Sequence, residues 1–151
     1  MTGYRVELIS ATPSPCAVVR EPTTWESFEW KPLLDQVWTY LRARPEIAPG
    51  HNVMIYHRLP ESDAYDVQVE IGVEVPAPIE PAGRVISSTL PAGRAASVVH
   101  HDSPATLDAA YQALADWCEE NGEVRAATHW EVYGDPDPAG SYPIRISWLL
   151  D

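Results

Sequence analysis

The chain has 151 residues, 45% of them hydrophobic and 21% charged, values that are ordinary for one globular domain with its own core. Its formal net charge is −12 and Lys31 is its only lysine, which argues against a nucleic-acid-binding surface with clustered basic residues. An acidic surface favours cationic partners, or it only keeps the protein soluble. We find no apolar run long enough to cross a bilayer and no signal segment, and therefore expect a cytoplasmic protein.

The residue types that carry metal or cofactor chemistry occur in no recognised spacing. The five histidines form no metal motif, and Cys16 and Cys118 are expected to be reduced thiols. Neither a glycine-rich phosphate loop nor a G-x-S-x-G nucleophile motif is present. We therefore predict no metal site and no cofactor.

Alternating apolar and polar residues predict a series of strands. They cover residues 4–10, 17–20, 52–57, 65–75, 85–90, 95–100, 128–133 and 142–150. Pro13 and Pro15 interrupt the beginning of the series, so residues 17–20 are expected to be a short extended piece or an edge strand. In the strand over residues 65–75, the valines are expected to face the core and Glu70 to face out. In the strand over residues 142–150, Trp148 is expected to face inward, with Ile144, Ile146 and Leu150.

Each half also contains one predicted amphipathic helix. The first runs from Trp30 to Arg42 and the second begins at Ser103-Pro104, with Ser103 as its N-cap, and ends at Asn121-Gly122. Apolar residues recur at intervals of three and four in both helices. The apolar stripes are Trp30, Leu33, Leu34, Val37, Trp38 and Leu41 in the first helix, and Leu107, Ala110, Tyr111, Leu114, Trp117 and Cys118 in the second.

The two halves repeat one β-α-β-β plan. A shift of 77 positions, the distance from Tyr56 to Tyr133, aligns both helices and the strands that follow them without a gap. Because strands, helices and loop lengths all match, we interpret the chain as a tandem duplication. We expect a single domain over residues 1–151, with one repeat over about 4–75, a proline-rich linker over 76–83 and a second repeat over about 84–151.

Two such units most simply form one antiparallel-rich sheet with both helices packed on one face, which is an α+β fold. This arrangement leaves a groove between the two repeats. Concave junctions of this kind are the usual place for a small-molecule ligand. The fold prediction therefore places a candidate binding site at the centre of the domain.

One position breaks the repeat in a chemically important way. Glu131 aligns with Met54, and His129 and Tyr133 share its strand face because side chains alternate along a strand. Burying a carboxylate is costly unless something needs its charge. The pattern suits a flat apolar molecule that carries a positive charge or hydrogen-bonding groups, and cation–π contacts would add to its binding. Alternatively, Glu131 has no ligand and only forms a hydrogen bond with Tyr133, with another hydroxyl or with an exposed edge of the sheet.

Eight residues are candidate ligand-binding residues on this argument. For the aromatic residues of the two helices, packing in the core is the alternative role. The candidates are Glu131, Tyr133, Tyr56, Met54, Trp25, Trp38, Tyr111 and His129.

Three ordered segments of the second half carry a family resemblance. They are L-P-A-G-R from Leu90 with Val99-His100, the helix residues Leu107, Ala110, Tyr111, Leu114 and Trp117, and W-E-V-Y from Trp130 with Asp135-Pro136. In this order and spacing they resemble the GyrI-like domain, the effector-binding domain of AraC- and MerR-type multidrug-sensing regulators. The same domain occurs in a gyrase-inhibitory protein.

The resemblance implies a groove that binds amphipathic, often cationic or aromatic compounds, with Glu131 at its floor and Tyr133 on the same wall. The His-x-Gly-Pro-Tyr segment that is usual in the family reads H-H-D-S-P from His100 to Pro104, so its tyrosine is missing. There is also no helix-turn-helix segment. We therefore expect a small-molecule ligand and no direct contact with nucleic acid.

Two other uses of the groove remain open. Some stand-alone proteins of this family resemble hydrolases that open strained cyclopropane rings in alkylating natural products. In such an enzyme Glu131 would activate water, with help from Tyr133 or Tyr111. The resemblance to a gyrase inhibitor implies instead a protein-interaction module that faces a basic partner surface.

Overall fold

Eight strands and two α-helices lie within residues 3–151, the part of the chain that the computed structural model describes. None of these helices is long and apolar enough to span a membrane. The elements are β1 (Glu7–Ala11), β2 (Ser14–Thr23), α1 (Trp30–Arg42), β3 (Asn52–Arg58), β4 (Val67–Glu74), β5 (Val85–Leu90), β6 (Gly93–His100), α2 (Leu107–Glu120), β7 (Arg125–Tyr133) and β8 (Ile144–Leu150).

All eight strands form one antiparallel sheet in the order β1-β6-β8-β7-β3-β4-β2-β5. The order is symmetric about the central β3–β7 pair, where equivalent strands of the two halves meet. Met54 and Ile146 lie on either side of Glu131 in register, and they pack with α1 and α2, respectively. Both helices therefore cover the same face of the sheet, which confirms the predicted α+β fold.

The two halves exchange their first strands. β1 pairs with β6 of the second half, and β5 pairs with β2 of the first half. Only Pro91 and Ala92 separate β5 from β6, although five strands lie between them in the sheet. Such a connection spans at most about 11 Å, so the sheet must curl until its ends approach each other. The face away from the helices thereby encloses a second core of Cys16, Val18, Val53, Ile55, Leu90, Ala95 and Trp130.

Both helices lie where the sequence predicts them. The bounds of α1 are those predicted, Trp30 to Arg42. Before α2, the Ser103 hydroxyl accepts a hydrogen bond from the Ala105 N–H, and a 3-10 turn over Pro104–Thr106 precedes the α-helix. After α2, Gly122 has a φ of +66° and the next N–H bonds back to the carbonyl of Cys118, as in a glycine-terminated helix.

The prediction of a short or edge strand at residues 17–20 is wrong. β2 has ten residues and lies between β4 and β5. Its prolines are tolerated because each lies where β2 has only one paired neighbour: Pro15 is in register with β5 alone, and Pro22 with β4 alone. At each of these positions one side of β2 is unpaired, and a proline, which has no N–H to donate, is tolerated there.

Two predicted exposures are also wrong. Glu70 is 4% exposed, because the curled sheet encloses the face on which it lies. Its carboxylate accepts hydrogen bonds from Ser88 and Arg20 and lies 2.5 Å from the His57 ring nitrogen Nε2. Trp30, predicted to be part of the apolar stripe of α1, is 47% exposed.

Candidate functional site

Glu131 lies at the centre of the molecule, on the helix-covered face of the sheet. It is on β7, directly opposite Met54 on β3, and its side chain points into the space between α1 and α2. Only 3% of the residue is exposed. Glu131 and Met54 are therefore neighbours across a strand pair, and both line the same cavity.

Three tyrosine hydroxyls donate hydrogen bonds to the Glu131 carboxylate. Tyr56 and Tyr133 bond Oε1 at 3.1 and 2.7 Å, and Tyr111 bonds Oε2. These donors come from β3, β7 and α2, so both repeats contribute to the site. Within residues 3–151, no lysine, arginine or histidine forms an ion pair with Glu131.

The tyrosines remain protonated donors because of their surroundings. Burial, followed by the negative charge of Glu131, raises the pKa of the Tyr56, Tyr111 and Tyr133 hydroxyls far above the ordinary value. Their hydrogen bonds offset part of the cost of burying the carboxylate, but hydroxyls carry no positive charge. Among the described residues, the Glu131 carboxylate therefore has three hydroxyl donors and no positively charged partner.

Two cavities border the carboxylate. The larger has a volume of about 570 Å³ and the smaller of about 340 Å³, and both are lined by Phe28, Tyr56 and Glu131. Further residues of the larger cavity are Trp30, Leu34, Asn52, Met54, Pro104, Leu107, Tyr133, Gly134, Pro136 and Tyr142. Further residues of the smaller cavity are Trp25, Tyr111, His129 and Trp148.

His129 is part of a row of stacked rings beside Glu131. Its ring centroid lies 4.7 Å from that of Tyr56 and 4.1 Å from that of Trp148, with interplanar angles of 16° and 18°. Burial, together with the positive charges of Arg125 and Arg58, lowers the pKa of His129 to about 3. At neutral pH this imidazole is therefore an uncharged aromatic surface.

The structure brings seven of the eight predicted site residues to the cavity walls. Met54 and Tyr133 line the larger cavity, Trp25, Tyr111 and His129 line the smaller one, and Tyr56 and Glu131 line both. Trp38 lines neither cavity. Its indole N–H instead donates to Asn52 Oδ1 at 3.0 Å, and Asn52 is part of the larger cavity wall.

Trp148 and Phe28 also line the site, and sequence reasoning missed both. Trp148 was predicted as a core residue from its place in an alternating strand. The repeat contained a signal for it, because Trp148 aligns with Ile71 and so places an aromatic ring where the first half has an aliphatic chain. Phe28 had no such signal, since it lies in the connection between β2 and α1.

No three histidine, cysteine or acidic side chains within residues 3–151 lie close enough together to hold a metal ion. The side chains that line the two cavities include a carboxylate, phenols, a thioether and aromatic rings. Such groups bind and orient a ligand through charge, stacking and hydrogen bonds.

The match to a protein family covers most of the chain. The model of the GyrI-like small molecule binding domain matches residues 17–149, which include the whole of both cavities. The chain belongs to the GyrI-like family. No curated protein matches it in sequence.

Solved structures share this GyrI-like fold at low sequence identity. The C-terminal domain of EcmrR has a TM-score of 0.78 and 19% identity, with 99% of this chain and 98% of that domain covered. A hydrolase from Listeria innocua has a TM-score of 0.65 and 11% identity, with 97% and 92% covered. SAV2435 bound to tetraphenylphosphonium has a TM-score of 0.62 and 10% identity, with 97% and 94% covered.

Proposed function

We propose that this GyrI-like chain binds small amphipathic, aromatic or cationic molecules in the groove between its repeats, with Glu131 as the charge partner. The observation that supports this proposal most strongly is the buried carboxylate itself. It accepts hydrogen bonds from Tyr56, Tyr111 and Tyr133, yet it has no basic partner among the described residues. An unpaired buried carboxylate destabilises the empty protein, and a cation that binds beside it removes part of this cost.

The walls of the cavities suit the apolar part of such a ligand. Leu34, Met54 and Leu107 supply aliphatic and thioether surface in the larger cavity, and rings surround the smaller one. Each good cation–π contact adds about 0.5–2 kcal/mol to binding. SAV2435, which shares the fold, is bound to tetraphenylphosphonium, a cation with apolar aromatic arms. The proposed role is drug sensing or sequestration, without direct contact with nucleic acid.

Calorimetric titration with tetraphenylphosphonium tests the proposal. We expect Glu131→Gln, which removes the charge and keeps the shape, to weaken binding about tenfold or more, because a buried charge pair contributes over 1.4 kcal/mol. Glu61→Gln is the matched control, since it removes one negative charge from an exposed position. Equal affinities of the two variants would show that Glu131 is not the charge partner.

Hydrolysis of a strained electrophile is a second candidate for the same groove. The observation that favours it is that Glu131 is enclosed beside three hydroxyls, in a fold shared with a hydrolase from Listeria innocua. A carboxylate has about four acceptor positions, so one is left for a water molecule. Turnover of a cyclopropane-bearing alkylating agent that is lost in Glu131→Gln would support catalysis, and its absence in the wild-type protein would exclude that substrate class.

A further inference from the structure

The two cavities share part of their walls around Glu131. Phe28, Tyr56 and Glu131 line both of them, so each cavity borders the residue that carries the charge. The larger cavity, of about 570 Å³, has mixed aliphatic and aromatic walls. The smaller cavity, of about 340 Å³, has a different character.

Aromatic rings form nearly the whole wall of the smaller cavity. Tyr56, His129 and Trp148 present a row of almost parallel rings, whereas Tyr111 stands edge-on to His129 and Trp148 at 83° and 86°. Trp25 completes the wall, with its ring centroid 5.7 Å from that of Tyr56. Stacked and edge-to-face geometries are both favourable for an additional aromatic ring.

The charges around the smaller cavity determine which part of a ligand fits it. Arg125 lies over the Trp148 ring, with its guanidinium carbon 4.8 Å from the ring centroid. Arg125 and Arg58 are also among the charges that keep the neighbouring His129 unprotonated. These groups disfavour a second positive charge, so the smaller cavity suits an uncharged aromatic group while the ligand's charge stays beside Glu131.

We propose that the cavity formed by Trp25, Phe28, Tyr56, Tyr111, His129 and Trp148 is a second subsite, which binds an uncharged aromatic arm of a cation. The charge of that ligand lies beside Glu131, and its other arm fills the larger cavity. The preferred ligand class is therefore a monocation with an aromatic group on each side of the charge. This inference rests on the proposed function.

Two related quaternary ammonium ions and two tryptophan variants test the subsite. Benzyltrimethylammonium has one aromatic arm and dibenzyldimethylammonium has two, while both carry one charge. Trp25 lines only the smaller cavity and Trp30 only the larger, and they are 50% and 47% exposed, so neither is needed for the core. Tyr65→Ala is the control, because Tyr65 is 44% exposed and lines neither cavity.

Calorimetric titrations should separate the two arms. We expect the two-armed ion to bind the wild-type protein at least about tenfold more tightly than the one-armed ion, the factor that one further aromatic contact supplies. Trp25→Ala should reduce this advantage to about threefold or less, because it should weaken binding of the two-armed ion more than binding of the one-armed ion. Trp30→Ala should weaken the binding of both ions, and Tyr65→Ala should not change the binding of either ion. Trp25→Leu, which keeps an apolar side chain, repeats the test if Trp25→Ala unfolds.

The failures of the two proposals are distinguishable. If neither ion binds the wild-type protein, the proposed function is wrong, and the subsite proposal, which rests on it, is wrong as well. If both ions bind with equal affinity, or if Trp25→Ala weakens both equally, the subsite is overturned while cation binding in the larger cavity stands.

Discussion

Tyr111 of α2 donates a hydrogen bond to Glu131 of β7, and this contact connects the second helix to the central strand pair beneath the cavities. The other carboxylate oxygen accepts from Tyr56 and Tyr133, so Tyr111 is the sole tyrosine donor to Oε2 among the described residues. The helix position and the satisfaction of the buried charge are therefore coupled.

Replacing Tyr111 by phenylalanine should destabilise the empty protein. The change leaves Oε2 without its hydroxyl donor in a buried setting, and hydrogen bonds to charged groups contribute about 1.5–3 kcal/mol. We expect a decrease of that size in the free energy of unfolding measured by urea denaturation. Tyr65→Phe, at an exposed position, is the control, and an equal loss in both variants would contradict a specific role for the Tyr111 hydroxyl.

The type of cationic head group should also matter. Three of about four acceptor positions on the Glu131 carboxylate are occupied by tyrosines, so a primary ammonium could place only one of its three N–H groups there. A quaternary ammonium has no N–H to leave unpaired. Because an unpaired buried donor costs about 1–3 kcal/mol, benzyltrimethylammonium should bind about tenfold more tightly than benzylammonium.

The comparison of head groups is made by calorimetric titration at one pH at which both ions are charged. Tyr133→Phe frees one acceptor position on Oε1, so in this variant the preference for the quaternary ion should become smaller. A wild-type protein that prefers benzylammonium would show that the carboxylate binds its ligand by direct hydrogen bonds.

Acid should destabilise the fold partly through Glu70. Burial alone would raise the pKa of this carboxyl, but hydrogen bonds from His57 and Ser88 and the charge of Arg20 outweigh it and lower the pKa to about 2. For a lowered carboxyl pKa, the stabilisation is complete above the unfolded value of 4.5 and is lost as the pH falls towards 2. The contribution of this group across that window is about 3 kcal/mol.

Urea denaturation at a series of pH values from 6 to about 2 measures this effect. Glu70→Gln should be less stable than the wild-type protein at pH 6, and its stability should decrease less steeply below pH 4.5. Glu61→Gln, at an exposed position, should retain the wild-type slope. Identical slopes for wild type and Glu70→Gln would contradict the assignment.

The sequence predicted the local structure and the central residue of the site. Periodicity predicts the bounds of α1 and the facing of His129, Glu131 and Tyr133, and the Asn121-Gly122 pair predicts the end of α2. The structure confirms these predictions. The 77-residue shift distinguished Glu131 from Met54 because a repeat makes a chemical difference visible. Its role in binding stays a prediction.

The exchange of strands between the halves could not be predicted in this way. A period of two identifies a strand and its faces but contains no information on which strand is its neighbour. Glu70 was therefore placed towards solvent, although the curled sheet encloses it. Trp148 was assigned to the core for the same reason, since its position beside His129 depends on the pairing of β7 with β8.

A thermodynamic cycle with two ligands of the same shape, one charged and one neutral, tests the central claim most directly. Benzyltrimethylammonium and its uncharged carbon isostere neopentylbenzene are titrated into the wild-type protein and Glu131→Gln. We expect the substitution to make the binding free energy of the cation less favourable by about 1.4 kcal/mol or more. The binding free energy of the neutral isostere should change by less than about 0.5 kcal/mol. If the substitution changes both affinities equally, the coupling between ligand charge and Glu131 is zero, and the carboxylate is not the charge partner.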